Sequence, residues 1–121
     1  MPLNMAKVIK FKNNTHLYGT ITEKGSNSNG KFLEFSDGTA ICRGNMNIST
    51  SAVNTFYSNE KDFPIEFSDN NIYIGLGIRE SRDKRISLSY TVTKSALTLY
   101  YSAANLIGTS TVTYIAIGEW K

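Results

Sequence analysis

Residues 32–44 read Phe-Leu-Glu-Phe-Ser-Asp-Gly-Thr-Ala-Ile-Cys-Arg-Gly. An apolar run, an Asp-Gly pair and a second alternating run together are the strongest short-range signal for a β-hairpin. Gly38 supplies the positive φ that a tight turn needs, and Asp37 tolerates the neighbouring corner of the turn. The sequence therefore predicts two antiparallel strands joined at Asp37 and Gly38.

Most of the chain after this hairpin alternates apolar and polar residues with a period of two. The alternating segments are residues 40–48, 63–67, 72–78, 86–92 and 97–101. Such alternation is typical of antiparallel strands with one buried face and one wetter face. Helical periodicity is confined to residues 51–59, which are expected to form one helical turn at most. We predict an all-β fold, a compact antiparallel β-sandwich.

Two segments carry further information about their place in the sheets. Pro64 cannot donate a hydrogen bond to a strand ladder, so residues 63–67 are expected to form an edge strand. In residues 112–117 both faces are apolar, because Ile115 and Ile117 form a second apolar face. A strand of this kind is either central in a sandwich or packed against another chain.

The length of 121 residues fits one domain. Residues 24–30 are rich in Gly, Ser and Asn, which is the composition of a flexible link. We therefore expect residues 1–29 to be a shaft or linker segment and residues 30–121 to form the β-sandwich domain. No continuous apolar stretch predicts a signal peptide or a membrane span, so membrane insertion is not expected.

The charge pattern and the cysteine content exclude several classes of site. The net charge is +3, and the 13 Lys and Arg residues are spread along the chain, so nucleic acid is not an expected partner. The densest charged run, residues 79–85, has mixed sign and is expected to be a solvated loop. Cys42 is the one cysteine, which excludes an intrachain disulfide and a cysteine zinc site. Its position in the alternation predicts a small buried residue, and no cofactor or metal is expected.

No constellation of residues predicts catalysis. The one histidine, His16, lies in the shaft or linker segment, away from any nucleophile on a rigid scaffold. Asp37 and Asp69 lie in predicted turns, where Asp is common for local hydrogen bonding. Residues 75–77, Gly-Leu-Gly, lack the lysine and the helix of a phosphate loop. Their glycines are expected to permit close approach of a neighbouring strand or subunit.

Three motifs resemble the C-terminal receptor-binding domains of tailed-phage tail fibres. Residues 29–44 resemble the hairpin that opens these domains, and residues 112–120 resemble the strand that closes them. Residues 63–67, FPIEF, look like a strand found between the two. Arg43 departs from the family pattern, which commonly has an aromatic residue there. The resemblance covers residues 29–120 and implies an H-type-lectin-like β-sandwich that trimerises at the distal end of a fibre.

The resemblance also implies a function, which is host attachment without catalysis. A tip domain at the end of a virion tail fibre would bind a host surface glycan or surface protein. Its partners would be that surface, the other copies in a homotrimer, and an upstream fibre shaft. Weak sites in three copies would add up to firm attachment. Two alternatives remain open: a structural trimerisation cap without its own receptor site, and a polysaccharide depolymerase or esterase.

The candidate binding residues combine aromatic platforms for sugar rings with polar donors from loops. Tyr and Trp rings serve equally well in cross-strand packing, so each aromatic has a structural alternative. Arginine side chains are suited to acidic groups of a surface polysaccharide. The candidate ligand-binding set is Asn70, Asn71, Tyr73, Arg79, Arg82, Tyr57 and Trp120. The first five flank one predicted strand and are expected to lie close together.

Overall fold

The computed structural model describes residues 20–79, 85–105 and 108–121. Its eight strands are β1 (Ile21–Asn27), β2 (Gly30–Phe35), β3 (Thr39–Thr50), β4 (Tyr57–Asp62), β5 (Tyr73–Ile78), β6 (Ile86–Val92), β7 (Ala96–Ala103) and β8 (Gly108–Glu119). One sheet has the order β1-β2-β3-β8-β5 and the other has the order β4-β7-β6. Every strand pair is antiparallel, and the two sheets form a compact sandwich, so the predicted fold is confirmed.

The β2–β3 hairpin forms where the Asp-Gly pair predicts it. Gly38 has a φ of 99°, and its amide donates to the carbonyl of Phe35 at 3.0 Å. The Asp37 carboxylate accepts a hydrogen bond from the Thr39 amide at 2.8 Å. The amide of Trp120 donates to the Gly38 carbonyl at 2.8 Å, so the C-terminal end of the chain fastens the hairpin tip.

The core lies between the two sheets and is filled mainly from β3, β7 and β8. Its members on these strands are Ala40, Cys42, Met46, Ile48, Leu97, Leu99, Tyr101, Val112, Tyr114 and Ala116. They alternate along each strand, as the period of two predicts. Cys42 is fully buried as expected, and burial raises the pKa of its thiol to about 12. A thiol with such a pKa stays protonated and unreactive at neutral pH.

The prediction of an edge strand at residues 63–67 is wrong. These residues form an irregular segment between β4 and β5. The amides of Phe63 and Phe67 donate to the carbonyls of Ser95 and Lys94 in the β6–β7 turn, instead of to a neighbouring strand. The two phenyl rings meet edge to face at 5.2 Å inside the core, and this packing explains the apolar spacing.

Strand β4, from Tyr57 to Asp62, overlaps residues 51–59, where one helical turn was expected. The described part of the chain contains no helix, and residues 51–54 form a bend and a turn before β4 begins. Strand β4 is polar and largely exposed, and it pairs with β7 at the edge of the smaller sheet. An edge strand with most side chains in water shows no apolar alternation, so the sequence pattern did not reveal it.

The expectation of a flexible link over residues 24–30 is also wrong. Strand β1 pairs with β2 from Ile21 to Asn27, and the Asn27 side chain accepts a hydrogen bond from the Asn29 amide at 2.8 Å. Backbone pairing does not require apolar side chains, which is why a polar composition concealed this hairpin. The assignment of residues 1–29 to a shaft or linker segment stays a prediction, since residues 1–19, with His16, lie outside the described residues.

Candidate functional site

The candidate set from the sequence does not form one site. Tyr73 begins β5, and Arg79 follows its last residue. They are six positions apart along extended chain, which corresponds to roughly 20 Å. Both side chains are exposed, and Tyr73 is exposed by 74%. These two residues therefore cannot contact the same sugar unit, and Arg82 lies outside the described residues.

Asn70 and Asn71 belong to the turn predicted before β5, and local hydrogen bonds organise them. The Asn70 side-chain oxygen accepts a bond from the Lys94 amide at 2.8 Å. The Asn71 amide donates to the Asp69 carboxylate at 2.9 Å. The turn is thereby tied to the β6–β7 connection on the other sheet, which gives both asparagines a structural role.

Tyr57 and Trp120 also have structural partners. The Tyr57 ring stacks on Tyr101 with centroids 6.0 Å apart, and its hydroxyl lies 2.9 Å from the Ser51 hydroxyl. That hydrogen bond lowers the pKa of Tyr57. The Trp120 indole N–H donates to the Phe35 carbonyl at 2.8 Å and fastens the C-terminus to β2. Both rings are half-buried, in agreement with the packing alternative for aromatic residues.

An apolar row crosses the outer face of the larger sheet, the face turned away from the core. Leu33, Ile41, Ile117 and Tyr73 lie directly opposite one another on β2, β3, β8 and β5. We call these four residues the apolar row. Ile115 lies beside the row on the same face of β8 and is 44% exposed. Strand β8 lies between β3 and β5, so it is an interior strand of its sheet, and on its second apolar face Ile115 is exposed and Ile117 is half-buried.

The glycines of β5 leave room for side chains of the neighbouring strand β8. A Cβ at Gly75 would lie 3.0 Å from Ile115 Cγ2, and a Cβ at Gly77 would lie 2.9 Å from Thr113 Oγ1. The side chains of β8 therefore lean over the edge strand. The outer face of β5 beside the apolar row therefore carries no side chain at positions 75 and 77.

A basic groove lies beside the apolar row, next to the β1–β2 turn. It has a volume of about 720 Å³, and its charged lining residues are Lys31, Arg43, Lys61 and Arg79. We use the name basic groove for this concave region. Only Arg79 belongs to the candidate set from the sequence. The other three cations lie on three different strands, so no run of charge in the sequence marks them as neighbours.

Within the described residues, no group of three or more His, Cys, Asp or Glu side chains is placed to hold a metal ion. No helix in that part of the chain is long and apolar enough to cross a membrane.

Comparisons with known proteins link the fold to pyocin tail fibres. No protein-family model and no curated protein matches the sequence. The structure is similar to an N-truncated R1-type pyocin tail fibre, with a TM-score of 0.67 and 14% identity over 83% of this chain and 87% of that chain.

Two longer solved fibres are also similar. A P. aeruginosa R1 pyocin fibre comprising C-terminal residues 323–701 has a TM-score of 0.60 and 13% identity, over 80% of this chain and 28% of that chain. An R2 pyocin fibre from the same organism has a TM-score of 0.52 and 16% identity, over 84% of this chain and 26% of that chain. This chain thus spans about a quarter of those two fibres. Its fold is one found in pyocin tail fibres, which agrees with the resemblance to tail-fibre domains that the sequence motifs indicate.

Proposed function

We propose that this domain is the receptor-binding tip of a tail fibre and attaches a phage or a phage-tail-like particle to a host surface. The observation that carries the proposal is the fold, which matches an R1-type pyocin tail fibre over 83% of this chain and 87% of that one. The ligand is a surface glycan or a surface protein, and binding involves no catalysis. The part of the chain before strand β1 connects the domain to the fibre shaft.

The active form in this proposal is a homotrimer whose subunits meet through the outer face of the larger sheet. Monomeric proteins seldom leave a contiguous apolar patch open without a function. The apolar row, together with Ile115, supplies such a patch on three neighbouring strands and one edge strand. Tyr73 belongs to this surface in the proposal, whereas Arg79 contacts the ligand.

Trimeric assembly would allow weak individual binding sites to produce firm attachment. A shallow site on a β-sandwich binds a sugar weakly, but three linked sites on one fibre raise the effective concentration of the second and third contacts. The gain in avidity reaches roughly 10²- to 10⁴-fold without any new contact. Single contacts remain reversible, so a particle can sample the cell surface before it attaches firmly.

Whole-cell adsorption tests the proposal. The full chain, labelled with a fluorophore, is incubated with a panel of bacterial strains and with derivatives of the same strains that lack surface polysaccharide. We expect binding to at least one strain and loss of binding when its receptor is removed. Hydrolysis of purified polysaccharide by the chain would contradict the non-catalytic part and support the depolymerase or esterase alternative.

The structural cap is the second candidate function, and the apolar row favours it. A cap that only aligns three chains needs the subunit interface and no receptor site. A trimer that forms in solution but adsorbs to no strain of the panel would refute receptor binding and support the cap.

A further inference from the structure

The basic groove gathers positive charges that the sequence keeps apart. Lys31 and Arg43 lie directly opposite each other on β2 and β3. Lys61 reaches the groove from the smaller sheet, and Arg79 reaches it from the end of β5. No Asp or Glu is among the described residues that line the groove. Because all four cations line one groove that holds no described carboxylate, their summed positive potential would attract an anion bound there.

One wall of the groove is the β1–β2 turn, and side-chain hydrogen bonds hold it in place. The Asn27 side-chain NH₂ donates to the Pro64 carbonyl at 3.0 Å, and the Tyr114 hydroxyl donates to the Asn29 carbonyl at 3.3 Å. The Lys61 ammonium donates to the Ser28 carbonyl of the same turn at 3.4 Å. These bonds anchor the turn to β4, to β8 and to the segment after β4. A wall fixed in advance reduces the ordering cost of binding.

Uncharged polar groups lie between the cations. Ser26, Asn45 and Thr113 line the same groove. Hydroxyl and amide groups can donate and accept hydrogen bonds, which suits the hydroxyls of a sugar. The volume of about 720 Å³ lies within the range of roughly 300–1,000 Å³ that is usual for small-molecule sites. The groove thus combines charge for an anionic group with neutral partners for the sugar that carries it.

We infer that the basic groove binds the anionic groups of a charged surface polysaccharide, phosphate or carboxylate carried on sugar units. The inference rests on the proposed function, because it names the class of ligand that the attachment domain takes. Arginine pairs with both groups through two parallel hydrogen bonds, so Arg43 and Arg79 suit either one. The site lies beside the apolar row and is separate from the aromatic residues of the candidate set.

Binding of defined polymers to the full chain tests the inference. The probes are inorganic polyphosphate, polygalacturonate as a carboxylate polymer, and dextran as a neutral polysaccharide. The test variant is Arg43→Gln combined with Arg79→Gln, since both side chains are exposed. The control is Lys94→Gln, which removes a positive charge from the exposed β6–β7 turn outside the groove. Thermal unfolding and light scattering verify that each variant keeps its fold and its oligomeric state.

We expect the unmodified chain to bind at least one anionic polymer and not dextran. The double variant should bind that polymer at least roughly tenfold more weakly, while Lys94→Gln stays within about twofold. Salt should weaken binding, because raising it from about 50 to about 300 mM more than halves the Debye length. A preference for polyphosphate or for polygalacturonate identifies the anionic group as phosphate or carboxylate.

Three results would overturn the inference. The first is that the unmodified chain binds neither anionic polymer. The second is that the double variant binds as tightly as the unmodified chain. The third is that Lys94→Gln weakens binding as much as the double variant does. Parallel adsorption to cells separates this inference from the proposed function. Adsorption to cells without binding to either polymer refutes the anionic ligand alone, whereas polymer binding without adsorption to any strain refutes host attachment.

Discussion

Replacement of Ile115 by Asp tests the proposed trimer interface. Ile115 lies on the outer face of the interior strand β8 and is 44% exposed. In an isolated subunit the new carboxylate stays in contact with water, so the cost is about 1 kcal/mol, the range of strand propensities. In a trimer that covers this face, each carboxylate loses hydration at a cost of several kcal/mol, and Arg43, which lies directly opposite position 115 on β3, offsets part of that cost. A net cost of about 2 kcal/mol per subunit gives roughly 6 kcal/mol for three subunits, or about four orders of magnitude in the assembly constant.

Tyr100→Asp is the matched control for this substitution. Tyr100 lies on the outer face of β7, the central strand of the smaller sheet, and is 41% exposed. It therefore introduces the same charge at nearly the same exposure on the opposite side of the sandwich. Light scattering at micromolar concentration should report a trimer for the unmodified chain and for Tyr100→Asp, and a monomer for Ile115→Asp. A monomeric unmodified chain, or an Ile115→Asp chain that still assembles, would refute the reasoning.

Three further outcomes are expected. Leu97→Ala should lower the free energy of unfolding by about 2–5 kcal/mol, because Leu97 is fully buried; a denaturant midpoint close to that of the unmodified chain would contradict this. Trp120→Phe should cost about 0.5–1.5 kcal/mol, since it removes the indole hydrogen bond to the Phe35 carbonyl while the Gly38 amide still donates to that carbonyl; an unchanged calorimetric midpoint would contradict this. Burial raises the pKa of both Cys42 and Tyr114 to about 12 from ordinary values of 9.0 and 10.0. Between pH 9 and 12 the unfolded chain therefore releases protons that the folded chain retains, and stability should fall as the pH rises; a flat stability profile across that range would exclude the effect.

In the proposed assembly, the outer face of the larger sheet has two roles, subunit contact through the apolar row and ligand binding in the basic groove. The apolar row lies toward one end of the face, and the basic groove begins on the next pair of residues, Lys31 and Arg43. A trimer formed through the row would bring three basic grooves close to its rim. Binding of a long anionic polysaccharide across more than one groove would then follow from their proximity, since linked sites share an effective concentration.

The sequence alone determined the features that depend on neighbouring residues. The Asp37-Gly38 turn, the alternating strands β5, β6 and β7, and the two apolar faces of β8 were all predicted, because turn chemistry and side-chain alternation are local properties of the backbone. Strands β1 and β4 were missed. Their side chains lie mostly in water at sheet edges, so the ladder hydrogen bonds that define them leave no apolar pattern.

The tertiary structure determined which side chains lie close to one another. The Phe63 and Phe67 spacing fits a strand as well as an irregular segment, and only the hydrogen bonds to the β6–β7 turn select the second. Tyr73 and Arg79 are close in sequence, yet an extended strand holds them apart. Lys31 and Lys61 are far apart in sequence, yet both line the basic groove. Long-range strand pairing and the packing of two sheets set these distances, and no short stretch of residues encodes them.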